Sequence, residues 1–149
     1  MKSKNKILLA TQNKDKKYEI LNLFSDLNIK ILSLDDFSEI DDITESGETL
    51  LENSLIKSRE AHRITGLPSL ADDSGLEVDL LNGAPGVYSA RYAGENVTYD
   101  ENINKLLSKL VKYNNVDVRT ARFKTVISYV SNKMELVEYG EVEGYITTS

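Results

Sequence analysis

Apolar and polar positions change their spacing along the chain in a way that predicts strands and helices in alternation. An apolar run at residues 6–10 predicts a first buried strand, and a second strand is predicted at 29–34. Between them, apolar residues at positions 20–27 follow the i, i+3, i+4, i+7 spacing of an amphipathic helix. Strand, helix, strand is the order typical of an α/β domain.

The next predicted helix is marked at both ends. Thr49 and Glu52 have the spacing of a capping box, in which a hydroxyl and a carboxylate accept hydrogen bonds from the first amides of a helix. We expect this helix to run to about Thr65, because Gly66 follows and glycine commonly ends helices.

The second half of the chain predicts one more helix and a pair of strands. Thr98 and Glu101 form another capping box at the start of a third helix. Strict alternation at 121–129 predicts a long half-buried strand, and 136–146 predicts the strand that returns after a turn. Together these elements predict a single α/β domain over residues 1–149, with a long, mixed, twisted sheet flanked by helices.

A short acidic stretch follows the predicted helix at 49–65. Residues 69–75 predict a short buried strand that ends at two adjacent carboxylates, Asp72 and Asp73. Successive side chains of a strand point to opposite faces, so both can face one cleft only if the backbone turns between them. A carboxylate in a cleft can hold a hard cation or take a proton from water. The alternative is an Asx turn in which Gly75 supplies the unusual dihedral angle.

A polar turn at 11–17 joins the first strand to the first helix. This arrangement presents free backbone N–H groups and the positive end of the helix dipole to an anion. Lys14, Lys16 and Lys17 add positive charge, which is unfavourable at a helix N-terminus unless an anion binds there. The alternative is a solvated basic first turn without a ligand.

Composition narrows the classes of function. The chain of 149 residues has no cysteine and only one histidine, His62, which excludes disulfides, thiolate metal sites and multi-histidine metal sites. The net charge of −6 disfavours generic binding to nucleic acid or anionic membrane. The apolar run at 7–10 is too short for a signal peptide or a membrane span, and the lack of cysteine suits the cytoplasm.

Five segments carry a further pattern, in this order: Leu9-Ala10-Thr11-Gln12-Asn13 with Lys16, Glu45-Ser46-Gly47-Glu48-Thr49 with Glu52-Asn53, Lys57-Ser58-Arg59, Leu70-Ala71-Asp72-Asp73-Ser74-Gly75-Leu76, and Gly83-Ala84-Pro85-Gly86-Val87-Tyr88-Ser89-Ala90-Arg91-Tyr92. Together they resemble the inosine triphosphate pyrophosphatase family. That family hydrolyses non-standard purine nucleoside triphosphates such as ITP, dITP and XTP to the monophosphate and pyrophosphate. The resemblance implies the same activity here, a two-lobed fold and a homodimer.

The resemblance also implies a role for each matching residue. Glu45 and Asp73 would hold Mg²⁺, and Asp73 would also be the proton acceptor. Asp72 would support the metal site, Ser74 would contact the substrate, and Lys57 would help to position phosphates. The polar turn before the first helix would contact the triphosphate, and Lys16 would be its main charge. The contacting residues would be Thr11, Gln12, Asn13, Lys14, Asp15 and Lys16.

The residue types agree with this chemistry. Mg²⁺ takes one or two carboxylates together with waters and phosphate oxygens, which suits Glu45 and Asp73 on separate elements. We expect a water activated by the metal and Asp73 to attack the α-phosphorus, with pyrophosphate leaving. The expected partner is therefore a purine nucleoside triphosphate, with Mg²⁺ as cofactor and neither nucleic acid nor membrane as a partner.

Two features depart from the family pattern. The family usually has glycine at the position of Gln12, which affects only the backbone approach at that turn. Family members also continue beyond the equivalent of Thr148 with a Phe-Gly-Tyr-Asp-Pro stretch and a Ser-His-Arg motif that hold the purine base, whereas this sequence stops at Ser149. Three explanations for this difference from the family are open: a shortened polypeptide, a shortened gene or a reduced homologue. The alternative function is therefore a catalytically weak nucleotide-binding or dimer-forming remnant of the same fold.

Overall fold

The computed structural model describes residues 5–149, which form three α-helices and a six-stranded mixed sheet. The sheet has the order β2-β1-β3-β5-β6, with β4 paired to β3, and this confirms the predicted mixed α/β class. The helices are α1 (Lys14–Leu23), α2 (Leu50–Thr65) and α3 (Tyr99–Leu110). The strands are β1 (Asn5–Leu9), β2 (Ile29–Ser33), β3 (Ser69–Val78), β4 (Pro85–Gly86), β5 (Thr120–Val130) and β6 (Glu135–Tyr145).

Contacts divide the chain into two compact units. The first contains the described residues up to Asp73 together with Val126–Glu138, and the second contains Ser74–Thr125 and Tyr139–Ser149. Three strands, β3, β5 and β6, therefore contribute residues to both units. Within residues 5–149, no helix has the length and apolar character of a membrane span.

The first unit is covered on both faces of its sheet. β1 pairs in parallel with β2 and with β3. Neighbouring residues of β1 point to opposite faces, so that Leu8 lies in a buried cluster with Ala61 of α2 and Leu9 lies in another with Ile20 of α1. Each fully buried leucine contributes roughly 1.5–3 kcal/mol of hydrophobic free energy. α1 and α2 therefore cover opposite faces of the sheet in this unit.

Small hydroxylated residues bring α2 close to the sheet. Ser54 and Ser58 are fully buried on α2, and their Oγ atoms lie 2.8 and 2.7 Å from Ser128 Oγ on β5. Ser54 Oγ also donates to the carbonyl oxygen of Ala71 on β3 at 3.2 Å. Because these side chains are short and satisfied inside the core, the helix backbone approaches β3 closely. The side chains at the N-terminal end of α2 are thereby held at a fixed distance from β3.

The second unit has its own core and a buried arginine. Arg119 is 3% exposed, and its guanidinium donates to the carbonyl oxygens of Leu110, Tyr113 and Thr147 at 2.9, 2.6 and 2.7 Å. It ties the end of α3 to the C-terminal segment. The buried core cluster of this unit comprises Val78, Leu106, Leu110 and Ala121.

The Asx turn considered at Asp72–Gly75 is not formed. β3 runs without a break through Ser69–Val78, so the strand predicted to end at the acidic pair continues past it. β3 lies between β1 and β5, whose backbones supply pairing partners on both sides. This pairing outweighs the local turn preference of Asp, Ser and Gly.

Two helix predictions also need correction. α1 ends at Leu23 instead of extending to Leu27, and both leucines are exposed. Ser25 Oγ donates to the carbonyl oxygen of Asn22, a local bond that competes with continuation of the helix. The capping box predicted at the start of α2 is only half formed. The Thr49 side chain accepts from the Glu52 amide, as predicted, but the Glu52 carboxylate accepts from the amide of residue 48. The box at Thr98 and Glu101 is complete, as predicted.

Candidate active site

The two adjacent carboxylates of β3 each meet a lysine from a different helix. Asp72 Oδ2 lies 2.7 Å from Lys16 Nζ on α1, and Asp73 Oδ1 lies 3.8 Å from Lys57 Nζ on α2. Because β3 is extended here, the two side chains leave opposite faces of the strand, and each face is covered by one of these helices. A backbone turn between the carboxylates is therefore unnecessary to give each of them a cationic partner.

Lys57 brings together the two residues predicted to hold the metal. Its Nζ lies 2.6 Å from Glu45 Oε1 and donates to the carbonyl oxygen of Asp72 at 2.6 Å. Since Asp73 Oδ1 is near the same nitrogen, the carboxyl groups of Glu45 and Asp73 converge on one ammonium group. The loop before α2 and the strand β3 thus supply two carboxylates to one position, as predicted.

Asn53 is a site residue that the sequence reasoning did not select. It is 1% exposed, its Oδ1 accepts from the Gly47 amide at 2.8 Å, and its side chain hydrogen-bonds to the Asp73 carboxylate. The signal was present, because Asn53 lies four residues before Lys57 on one face of the helix. It was missed because asparagine carries no charge and has no common catalytic role.

Burial dominates the electrostatics of Asp73. Removal from water raises the pKa of its carboxyl group, and the nearby Glu45 carboxylate raises it further. Three neighbours lower the pKa: the ammonium groups of Lys57 and Lys16, and the hydrogen bond from Asn53. Together they offset only part of the effect of burial, so the pKa stays raised. Within the described chain, the buried Oδ2 of Asp73 has no hydrogen-bond partner. A carboxylate with a raised pKa and an unused oxygen is suited to accept a proton or to bind a cation.

The turn before α1 is more fully hydrogen-bonded than the sequence suggests. Asn13 caps the helix, and its Oδ1 accepts from the amides of Asp15 and Lys16 at 2.9 and 3.2 Å. Thr11 Oγ1 accepts from the amide of Asn13 at 3.2 Å. Three amides that we expected to be free for an anion are therefore engaged, which leaves the Lys16 side chain as the main cationic group. Three further side chains predicted to contact the substrate are exposed here: Gln12, Lys14 and Asp15.

The other predicted contact, Ser74, lies in the second unit, where its Oγ is 2.7 Å from Thr125 Oγ1.

Lys17 is on the first turn of α1, like Lys16, but its side chain is directed to other partners. Its Nζ donates to Ser33 Oγ at 2.8 Å and lies 3.4 Å from Asp35 Oδ2. His62 contacts the carbonyl oxygen of residue 67 and the side chain of residue 132, which is a structural role.

Comparisons with known proteins identify the family of the chain. The model of the Ham1 family matches residues 7–149. The chain belongs to the Ham1 family. This confirms the family membership that the sequence motifs predict, because the curated relatives carry the name dITP/XTP pyrophosphatase.

Two relatives and two solved structures illustrate the similarity. The dITP/XTP pyrophosphatase of Vibrio cholerae is 45% identical over 147 residues, which are 97% of this chain and 72% of the relative. That of Thermoanaerobacter sp. is 46% identical over 142 residues, or 95% of this chain and 71% of the relative. The HAM1 protein of Coxiella burnetii superposes with a TM-score of 0.86 at 44% identity, covering 97% of this chain and 74% of its own. The Staphylococcus aureus Ham1 protein superposes with a TM-score of 0.82 at 39% identity, covering 97% of this chain and 73% of its own.

Proposed function

We propose that this chain is a nucleoside triphosphate pyrophosphatase that hydrolyses dITP, XTP and related non-standard purine nucleotides to the monophosphate and pyrophosphate. The observation that carries the proposal is the convergence of Glu45 and Asp73 on Lys57, with Lys16 beside the same strand. The activity named for relatives at 45% and 46% identity supports it. Such an enzyme removes damaged purine nucleotides from the pool before a polymerase can use them.

Asp73 is the proposed proton acceptor. Burial raises the pKa of its carboxyl group, which strengthens it as a base relative to an ordinary aspartate. In the reaction, a water oxygen bonds to the α-phosphorus while its proton passes to Asp73. The bond from the α-phosphorus to the bridging oxygen breaks, and pyrophosphate leaves with that oxygen. The protein's task in such a transfer is mainly positioning and neutralisation of charge.

Glu45 and Asp73 are the residues that would hold Mg²⁺. In residues 5–149 no group of three or more His, Cys, Asp or Glu side chains is arranged for a metal, so a site supplied wholly by the protein is not formed. Mg²⁺ needs only one or two carboxylates when waters and phosphate oxygens complete its coordination. The unused buried oxygen of Asp73 and the convergence of two carboxylates fit this demand. When bound, the ion would neutralise phosphate charge and polarise the attacking water.

Lys16 is the proposed phosphate contact of the turn before α1. Its side chain is only 24% exposed, and its ammonium group is held beside the site by Asp72. Since Asn13 occupies the first helix amides, recognition of the triphosphate by the turn depends more on this side chain than on backbone N–H groups. A lysine binds a phosphate as a compact, mobile positive charge.

The test is release of pyrophosphate from dITP and XTP in the presence of Mg²⁺, with dATP and dGTP measured in parallel. We expect pyrophosphate and monophosphate in equal amounts, with dITP and XTP preferred. Release of inorganic phosphate in place of pyrophosphate would contradict attack at the α-phosphorus. No turnover of any triphosphate would favour a catalytically weak nucleotide-binding protein.

We also propose that the protein is a homodimer. β6 lies at the end of the strand order, and several of its apolar side chains are more than half exposed. An edge strand with exposed apolar residues favours association with another chain. Sedimentation equilibrium should give twice the chain mass, and a monomer at micromolar concentration would contradict the proposal. The exposed apolar residues of β6 are Leu136, Tyr139, Val142 and Tyr145.

The proposed substrates set the proposed compartment. Nucleoside triphosphates are made and consumed in the cytoplasm, and we place the protein there. Cell fractionation with an antibody against the chain tests this, and recovery with the membrane or secreted fraction would contradict it.

A further inference from the structure

Asn53 connects the two elements that carry Glu45 and Asp73. We infer that Asn53 is a positioning residue, which sets the spacing between the Glu45 loop and the Asp73 carboxylate. This inference rests on the proposed function, in which those two carboxylates act together. It adds a residue that acts through its neighbours, the Glu45 loop and the Asp73 carboxylate, and not on the substrate.

Both ends of the Asn53 amide are in use. The Oδ1 accepts from the amide of Gly47, two residues after Glu45, at 2.8 Å. The same side chain hydrogen-bonds to the Asp73 carboxylate, which as an anion can only accept. With 1% exposure, Asn53 has no water to replace either bond. One rigid amide group therefore spans the distance from the loop to β3.

The packing around Gly47 gives independent support. A Cβ added at Gly47 would lie 2.6 Å from Glu52 Cβ and 2.7 Å from Asn53 Oδ1, distances that real Cβ atoms essentially never show. The loop backbone thus rests directly on the first turn of α2, and only glycine allows this approach. A hydrogen bond and a steric contact fix the same distance.

The helix that carries Asn53 is itself anchored. Ser54, the next residue, bonds through its hydroxyl to Ser128 and to the Ala71 carbonyl, two residues before Asp73 on the same strand. Asn53 is therefore held relative to β3 by its own backbone as well as by its side chain. This rigidity lets the amide define a distance instead of following the movement of its partners.

Like charges make such a device necessary. Glu45 and Asp73 repel each other, and Lys57 offsets this repulsion from one side. Lys57 has a long flexible stem, whereas the asparagine amide is short and planar. Removal of a side chain that hydrogen-bonds to a metal ligand typically changes metal affinity or activity by about 10- to 100-fold.

Asn102 on α3 is a matched control. It occupies the same position after its helix cap, four residues from Thr98, as Asn53 does after Thr49. Its Oδ1 accepts from the amide of Ala93 at 2.7 Å and its amide donates to the carbonyl oxygen of Ala90 at 3.0 Å. Asn102 therefore also joins a helix to a loop, but its bonds go to backbone groups and to no carboxylate.

The experiment compares Asn53→Ala and Asn102→Ala with the wild type. Mn²⁺ affinity is measured by calorimetry without nucleotide, and kcat and KM are measured with dITP and Mg²⁺. For Asn53→Ala we expect about 10- to 100-fold weaker Mn²⁺ binding and a fall in kcat that exceeds any rise in KM. For Asn102→Ala we expect a lower melting temperature with unchanged Mn²⁺ affinity and kcat.

Two outcomes would overturn the inference. One is wild-type Mn²⁺ affinity and kcat in Asn53→Ala, and the other is equal losses in Asn53→Ala and Asn102→Ala, which would indicate general destabilisation. If Asn53→Ala does not fold, Gly47→Ala replaces it, since the added methyl group pushes against Asn53 Oδ1 while the asparagine remains. The same weakening is then expected, and wild-type values would overturn the inference.

The failure of this inference can be distinguished from failure of the proposed function. A wild-type protein that binds Mn²⁺ but releases no pyrophosphate would refute the proposed function. The positioning role of Asn53 would then be tested by the Mn²⁺ affinity of Asn53→Ala alone. A wild-type protein that hydrolyses dITP without measurable Mn²⁺ binding in the absence of nucleotide would leave kcat as the deciding quantity.

Discussion

The ammonium nitrogen of Lys57 lies 2.6 Å from Glu45 Oε1, so that a cation from α2 is bound to a carboxylate from the loop before that helix. The same nitrogen is 3.8 Å from Asp73 Oδ1. The Lys57 ammonium group therefore places a positive charge between two acidic side chains. This charge offsets part of the repulsion between the two carboxylates and favours their close approach.

Removal of the Lys57 charge is expected to change the pH dependence of hydrolysis. Lys57 lowers the pKa of Asp73, so Lys57→Met should raise that pKa and leave less of the base ionised at acid pH. The acid limb of the kcat/KM profile should move to higher pH, and a shift of one pKa unit gives about tenfold lower rates on that limb. Lys57→Arg keeps the charge and should show a smaller shift. An acid limb in Lys57→Met that coincides with the wild type would contradict the assignment of Asp73.

Lys16 is expected to act in substrate binding. Lys16→Ala removes the cation beside Asp72 and should raise KM for dITP by about 10- to 100-fold, the effect of one charge-assisted hydrogen bond. Lys17→Ala is the control, because that side chain is on the same helix turn but contacts Ser33 and Asp35. Steady-state kinetics separate the two. Equal KM values for Lys16→Ala and the wild type would remove Lys16 from the phosphate site.

The sequence alone was sufficient to predict the order of helices and strands and to select the residues that converge in the site. Helix caps at Thr49 and Thr98 are local signals, and both mark true helix starts. Glu45, Lys57 and Asp73 were selected by motif, and the fold brings them around one nitrogen. Local signals sufficed here because each residue sits next to an element boundary or on a regular helix face.

The errors arose where distant parts of the chain decide the local structure. Asp72–Gly75 has the composition of a turn, yet pairing with β1 and β5 holds it in an extended strand. The apolar face of α1 was predicted to reach Leu27, but periodicity does not report whether another element covers that face. Asn53 was missed for a related reason, since its importance comes from Gly47 and Asp73, which are close only in the folded chain.

Asp73 is expected to reduce stability at neutral pH. Because burial raises its pKa, the folded state binds the proton more tightly than the unfolded state, and ionised Asp73 costs free energy above that pKa. Asp73→Asn should therefore raise the melting temperature by about 2–4 °C near neutrality, as expected for about 1 kcal/mol. The gain should shrink as the pH falls through the raised pKa, and vanish below the unfolded pKa, where the wild-type carboxyl group is protonated in both states.

Asp79 is the control for the sign of this effect. Hydrogen bonds from Arg122 and Thr120 lower the pKa of Asp79, so its ionised form is favoured in the folded state. Asp79→Asn should leave the melting temperature unchanged or lower it at neutral pH. A lower melting temperature for Asp73→Asn than for the wild type at neutral pH would contradict the cost assigned to buried Asp73.

Arg119 is expected to be a major source of stability in the second unit. Arg119→Met removes three hydrogen bonds from a buried guanidinium to carbonyl oxygens and should lower the free energy of unfolding by about 3 kcal/mol, measured in urea. Arg122→Met is the comparison, because that arginine pairs with Asp79 and Glu143 at the surface, where ion pairs contribute little. Equal losses for the two variants would show that burial of Arg119 is not what matters.

The central claim is that Asp73 accepts the proton of the attacking water. The most direct test is the rate of pyrophosphate release from dITP at saturating Mg²⁺ and nucleotide, for the wild type and for Asp73→Asn, with circular dichroism to confirm that the variant is folded. The account predicts a fall in kcat of about 100-fold or more, the scale of a lost general base. A folded Asp73→Asn protein with kcat within about threefold of the wild type would contradict it.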